Sequence, residues 1–255
     1  MSKETKIKII GTGFFAVLLL GTLFLIYHTN KIERNEVIET VVVAGNNLLN
    51  QNDYLSFTKL SDLKNNDNLT LPLIKSRFEK HPYVLKADVN FINEKEVRVF
   101  ITEKEINAVI IRENKLLFAA EGLQILPVFP NTKMSDIPVL SNIDGIKNLE
   151  PLKRVISQDI QQAFKIIDAS KLTNAAMLKD LVEINLRNGG DVVLTFSGLN
   201  TPIIFGRGNE AEKIVSLETL LTNYFGSNNM LTESEYIDLR FYNDIYIGKM
   251  KKIEL

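Results

Sequence analysis

Residues 71–103, LPLIKSRFEKHPYVLKADVNFINEKEVRVFITE, change their hydrophobic period once, and that change decides the fold of the first half of the chain. Leu71, Ile74 and Phe78 recur at helical spacing, Thr70 is placed to cap, Pro72 is tolerated in a first turn, and His81-Pro82 ends the run. From Val84 to Ile92 the period falls to two. Leu85, Ala87, Val89 and Phe91 take one face and Lys86, Asp88 and Asn90 the other. After the turn Asn93-Glu94-Lys95, Val97, Val99 and Ile101 alternate again, so a helix followed by a β-hairpin is predicted over 71–103.

Upstream, Ile38 to Val43 is a β-branched run closed by Ala44-Gly45-Asn46-Asn47, which predicts a strand. Leu55, Phe57 and Leu60 suit a short helix within 52–60. The order β-α-α-β-β follows: a three-stranded sheet with two helices on one face and an edge left free for pairing. Before it, Ile7 to Tyr27 (IKIIGTGFFAVLLLGTLFLIY) contains one charged residue, Lys8, and has the length of a membrane-spanning helix. Lys3, Lys6, Lys8 and the amino terminus precede it, against Lys31 and Arg34 after it, which favours a cytoplasmic N-terminus. A cleaved signal peptide shares these features. Against it, the apolar run exceeds the usual length, and no A-x-A-like pair precedes a cut in IYHTNKIE.

Downstream, strands are predicted at Ala108–Ile111, Leu116–Ala119 and Leu123–Leu126. Between Leu149 and Ala169 a helical stripe runs through Leu152, Val155, Ile156, Ile160, Ala163, Ile166 and Ile167. Leu181 to Phe196 reads as a hairpin around Asn188-Gly189. A short strand, Ile203 to Phe205, ends in Gly206-Arg207-Gly208-Asn209 before an amphipathic helix through Ala211, Ile214, Leu217, Leu220, Leu221 and Tyr224. That G-x-G lacks the third glycine and the Lys-Ser/Thr of phosphate loops, so a strand-to-helix turn with Asn209 as cap accounts for it. In the last strand Ile237, Leu239 and Phe241 point one way and Asp238 and Arg240 the other. The aromatic residues Tyr242 and Tyr246 beside it suit addition of a partner's strand.

Several of these segments together resemble one family. The pattern I-x-x-x-F-x-x-x-P-x-V-x-x-A-x-V, from Ile74 through Phe78, Pro82, Val84 and Ala87 to Val89, is similar to the POTRA module of the bacterial division proteins FtsQ and DivIB. Glu103 and Ala108 fit the family's continuation, with Ile106 where Pro is usual. Ile137-Pro138-Val139-Leu140 resembles its L-P-x-L segment, and Phe205–Gly208 with Lys213 its L-G-x-G turn. Tyr236-Ile237-Asp238-Leu239-Arg240-Phe241 resembles its Y-I-D-L-R-Y signature, with Phe241 for the commoner Tyr.

The resemblance implies an α+β protein: a cytoplasmic tail (1–6), one transmembrane helix (7–27), a linker (28–37), a β-α-α-β-β POTRA domain (38–104) and a mixed β-sheet domain with flanking helices (105–255). It implies a non-catalytic scaffold at the division site of the inner membrane, its domains outside the cytoplasm, regulating septal peptidoglycan synthesis. The POTRA domain would meet other division proteins. The C-terminal strand would bind FtsB/FtsL-like bitopic proteins through Arg240, Phe241, Tyr242, Ile245, Tyr246 and Ile247, with Lys213 on the neighbouring helix. Alternative classes are a signal-anchored cell-wall glycan enzyme and a POTRA chaperone of outer-membrane export, the latter usually followed by a barrel for which this chain has no room.

Composition narrows the classes further. The 255 residues carry a net charge of −1 with both signs interspersed, so there is no electrostatic footprint for nucleic acid. No cysteine is present, which removes thiolate metal sites and a cysteine nucleophile. His28 and His81 lack any motif, and H-E-x-x-H, G-x-S-x-G and S-x-x-K with companions are absent. Glu94, Glu96, Glu103 and Glu105 read as solvated surface. No catalytic residue, metal or cofactor is predicted.

Overall fold

A computed structural model describes residues 3–30, 38–63, 69–113, 115–134, 136–224, 234–241 and 244–249. The fold is mixed α+β, built on one small and one large sheet with several helices. Helix α1 (Lys3–Asn30) covers residues 7–27, with side chains described for residues 12–25. Phe14, Phe15, Leu20 and Phe24 are among its exposed apolar residues. Among the described residues no helix is long and apolar enough to cross a membrane.

The small sheet holds β1 (Thr40–Ala44), then α2 (Gln51–Thr58), α3 (Leu71–Glu79), β2 (Val84–Phe91) and β3 (Glu96–Glu103), in the strand order β1-β3-β2. Caps hold both helices where they begin: Asn50 accepts from the Asp53 amide and Thr70 from the Leu73 amide. Their apolar stripes bury Tyr54, Leu55, Ile74 and Phe78 against Val97, Val99 and Ile101. Gly45 ends β1 with φ +81°, and a Cβ there would collide with the Ile101 carbonyl, so only glycine fits. The alternation expected in β2 holds for Ala87 and Val89 only. A bulge between Val84 and Lys86 turns Leu85 to solvent, and Phe91 at the strand's end is also exposed.

The large sheet has nine strands: β4 (Ile106–Arg112), β5 (Lys115–Ala120), β6 (Gln124–Pro127), β7 (Val139–Ser141), β8 (Leu181–Asn185), β9 (Val193–Phe196), β10 (Leu199–Ile204), β11 (Ser234–Asp238) and β12 (Tyr246–Lys249). Their order is β12-β11-β10-β9-β8-β7-β4-β5-β6, with β4/β7, β7/β8 and β10/β11 parallel. Helices α4 (Gln158–Thr173), α5 (Ala175–Asp180) and α6 (Glu210–Tyr224) supply the rest of its core. Ile160, Ala163, Ile166, Ile167, Ile214 and Leu217 are buried in one cluster with Ile184, Leu194, Ile203 and Ile237.

Three local expectations change. Helix α4 starts at Gln158, capped by Ser157, and not near Leu149. The residues ahead of it serve the sheet: the Leu152 amide donates to Ile125 O (2.7 Å), the Ile125 amide to Lys153 O (3.1 Å) and the Val155 amide to Leu123 O (2.8 Å). Leu152 sits at φ +67° to do so, and Ile156 is left 95% exposed. The predicted 181–196 hairpin is shorter at both strands, because the Leu186 and Asn188 amides donate to the carbonyls of Ser141 and Asn142. Asn188 and Gly189 keep positive φ inside that longer connection. Strand β10 starts earlier than expected, after an unanticipated turn at Ser197-Gly198.

The two sheets share a junction. Val109, Phe118, Ala120 and Leu126 of the large sheet complete the small unit's core. Tyr83 donates to Pro127 O (3.0 Å) and accepts from the Phe129 amide (3.1 Å). His81, 2% exposed, lies among the rings of Tyr54, Phe57, Tyr83 and Phe129. Its Nδ1 accepts from the Tyr83 amide (3.1 Å), and burial, assisted by the charge of Lys104, lowers its pKa to about 4. Glu103 is not the solvated carboxylate expected. It accepts from the amides of Asn47 (2.9 Å) and Leu48 (3.0 Å) and from the Tyr54 phenol (2.5 Å), pinning the β1–α2 connection to the end of β3. Burial, then this hydrogen bond, push the Tyr54 phenol well above its ordinary pKa.

Candidate functional site

Strand β12 forms one edge of the large sheet, antiparallel to β11 with Ile237 opposite Ile247 and Asp238 opposite Tyr246. Period two then sorts the candidate residues. Ile245 and Ile247 lean on the core cluster, so their side chains are committed inward, while Tyr246 points out and is 52% exposed. Phe241 has left the β11 register predicted for it. It is 51% exposed and packs edge-on against Tyr246, ring centroids 4.7 Å apart. Tyr242 lies outside the described residues.

The Tyr236 ring covers Gly248 on the same edge: a Cβ on Gly248 would come within 2.5 Å of Tyr236 Cε1. An aromatic ring laid over an edge glycine shields the backbone that the glycine exposes. Neither this pair nor the Phe241–Tyr246 contact is visible as a motif. Each depends on the strand register.

Beside the edge, Arg240 reaches back to Asp238 with Nε and Nη2 (2.9 and 2.6 Å) and out to Asp191 with Nη1 (2.9 Å). Asp238 is buried while Arg240 is half-exposed, so one end of this charge-assisted pair lies out of water. Hydrogen bonding from Arg240 holds the Asp238 carboxyl below the usual aspartate range. Gly206 lets the arginine stem pass. Its φ is +67°, and a Cβ there would meet Arg240 Cγ at 2.8 Å. The first glycine of the G-x-G is therefore explained by backbone conformation and by the approach of Arg240.

Lys213, one turn into α6, donates to Phe205 O (3.0 Å) and Arg207 O (3.3 Å) and lies 5.4 Å from the Phe205 ring centroid. Burial lowers its pKa against the opposing pull of Glu210, Asp191 and Asp238. Lys213, Arg240, Phe241 and Ile245 line a cleft of about 250 Å³ between the N-terminal turn of α6 and the β11–β12 connection. Five of the seven candidate residues thus converge through side chains on this edge and cleft or its underside, with Tyr246 on the outer face. Asp191 and Gly206 were not anticipated. Asp191 is 49 positions from Arg240 and only the fold joins them.

The opposite edge of the sheet is closed. Segment 152–155 supplies the backbone bonds to β6 described above, and Gln124 pairs with Arg154 as an isolated bridge. A larger cleft, about 470 Å³, lies between Asp144 and Arg207, but its buried carboxylate is already paired. Asp159 accepts from the Asp144 amide (2.7 Å) and from Arg207 Nη2 (2.6 Å). Among the described residues no group of three His, Cys, Asp or Glu side chains is arranged to hold a metal ion.

The chain is similar to a Cell division protein FtsQ of Syntrophotalea carbinolica, 21% identical over 183 residues. The match covers 72% of this chain and 64% of that protein, so it spans less than two thirds of the relative's length. No protein-family model matches the chain. The resemblance to the FtsQ and DivIB proteins read from the sequence is supported by this relative.

Proposed function

We propose that this chain is a non-catalytic scaffold of the cell division machinery. On this reading α1 is a single inner-membrane anchor with its N-terminus in the cytoplasm, and the rest lies outside the cytoplasm at the division site. Residues 38–104 form a POTRA domain facing other division proteins. Residues 105–255 form a β domain whose last strand accepts a strand from an FtsB/FtsL-like bitopic partner, and through it the protein regulates septal peptidoglycan synthesis.

One observation carries the partner-binding part. Of the two edges of the nine-stranded sheet, β6 is covered by the chain's own segment 152–155, whereas β12 has no neighbour beyond β11 among the described residues. A strand edge offers main-chain hydrogen bonds to an incoming strand, and outward aromatics select which strand is accepted. Phe241 and Tyr246 are so placed, with Lys213 and Arg240 at the adjoining cleft. The anchor reading rests on the sequence of residues 7–27, which holds one charged residue over the length of a membrane span.

The test is the pair Phe241→Asp and Tyr246→Lys in the full chain. Pull-down of the FtsB/FtsL-like partner is lost while the circular dichroism spectrum is unchanged. Undiminished capture refutes the strand assignment, and glycan cleavage by the wild-type chain overturns the scaffold reading.

A further inference from the structure

The β2–β3 hairpin has a tip shaped from within. The Ile92 amide donates to Glu96 O (2.8 Å), and Asn93 Oδ1 accepts from the amides of Lys95 and Glu96 (both 3.0 Å). The Asn93 side-chain amide also donates to the Glu96 carboxylate (3.0 Å). This well-tied turn holds two consecutive apolar side chains out of the core: Phe91 is 41% and Ile92 43% exposed. Phe91 pairs with Val97 on the face that the helices cover, but it stands at the strand's end, past their cover.

Register shows where the tip points. Thr40, the first residue of β1, is opposite Glu96, and the amides of Glu39 and Thr40 both donate to Lys95 O (2.8 and 3.2 Å). The hairpin tip and the entrance of β1 therefore form the same end of the small unit. The chain reaches that end from α1. From Asn30, the last residue of the helix, to Glu39 is nine residues, a reach of about 30 Å at full extension. The tip cannot lie farther than this from the point where α1 ends, plus the width of one strand pair.

Resting on the reading of α1 as a membrane anchor, we infer that the β2–β3 tip docks on the lipid surface, with Phe91 and Ile92 entering the boundary between headgroups and acyl chains. The partner is the bilayer. Apolar side chains leave water there, and the charged side chains flanking the turn are engaged, Lys95 with Glu39 (2.6 Å) and Glu96 with Asn93, with Glu94 exposed at the turn. Two such side chains do not hold a free protein on a membrane. The anchor makes the second contact intramolecular, so its effective concentration is high and a weak contact suffices. The consequence is orientation: with two points of attachment, the three-stranded unit has a fixed tilt over the bilayer.

The absence of cysteine makes the test clean. Single variants Leu19→Cys, Ile92→Cys and Ile156→Cys of the full chain are labelled with an environment-sensitive fluorophore. They are reconstituted into phosphatidylcholine–phosphatidylglycerol vesicles carrying a shallow nitroxide lipid, with a deep nitroxide lipid for the Leu19 label near mid-span. Leu19 and Ile92 labels are quenched by about two-fold or more, and the Ile156 label, equally apolar in origin but in the connection before α4, is not. Adding Phe91→Ser to Ile92→Cys reduces the quenching. An Ile92 label as unquenched as that at Ile156, with Leu19 still quenched, refutes the docking while leaving the anchor intact. An unquenched Leu19 label removes the anchor, and the docking inference with it.

Discussion

Replacing His81 with Asn removes a titrating group from the junction of the two sheets while keeping an acceptor for the Tyr83 amide, since Asn Oδ1 stands where imidazole Nδ1 did. In the folded protein burial lowers the His81 pKa from 6.5 to about 4. Unfolded chains therefore bind a proton between these values that the folded protein refuses. The stabilising contribution of a neutral buried His81 is fully present above pH 6.5 and is lost as pH falls toward 4. At 1.36 kcal/mol per unit, the full window is worth at most about 3 kcal/mol, and between pH 7 and pH 4.5 about 2 kcal/mol of it disappears. Urea unfolding followed by tyrosine fluorescence at these two pH values measures the difference. The wild-type chain loses about 2 kcal/mol more than His81→Asn over that interval, although the variant is less stable at pH 7 through lost ring packing. Equal losses in the two chains refute the reasoning, because they mean that His81 ionises in the folded state as it does in water.

Two further outcomes concern the backbone and the C-terminal edge. Gly45→Ala forces a Cβ at φ +81° into the Ile101 carbonyl and lowers stability by about 2–4 kcal/mol, read as a shifted urea midpoint with unchanged slope. Arg240→Gln leaves Asp238 without its bidentate partner, so the melting temperature falls at pH 7. The gap from wild type narrows as pH drops through the aspartate range, because the depressed Asp238 pKa gives stability that is present above its unfolded value and lost below it.

The candidate edge was partly legible in the sequence. Alternation from Tyr236 to Phe241 and around Tyr246 marks strands, and period two alone separates inward Ile247 from outward Tyr246 once one of them is fixed. What alternation does not carry is where a strand stops. Phe241 continues the apolar face on paper, yet β11 ends at Asp238 and its ring turns to Tyr246. The stripe from Leu149 to Ala169 misled for a related reason. Leu152 and Val155 keep helical spacing, but their amides bond to the carbonyls of Ile125 and Leu123, which a local pattern has no means of anticipating.

The sequence by itself determined the elements whose cause is local: helix α3 between Thr70 and Pro82, the β2–β3 hairpin with its Asn93 turn, and the alternation of the last strands. Capping, turn geometry and side-chain period act over a few residues, so they are written in neighbouring letters. Only the tertiary structure decided which sheet edge is closed and which, among the described residues, has no further neighbour, that Glu103 is a half-buried anchor for the β1–α2 connection, and that Asp191 and Gly206 attend Arg240. Those facts join residues tens of positions apart. They follow from the order in which strands pair, which no short window of sequence specifies.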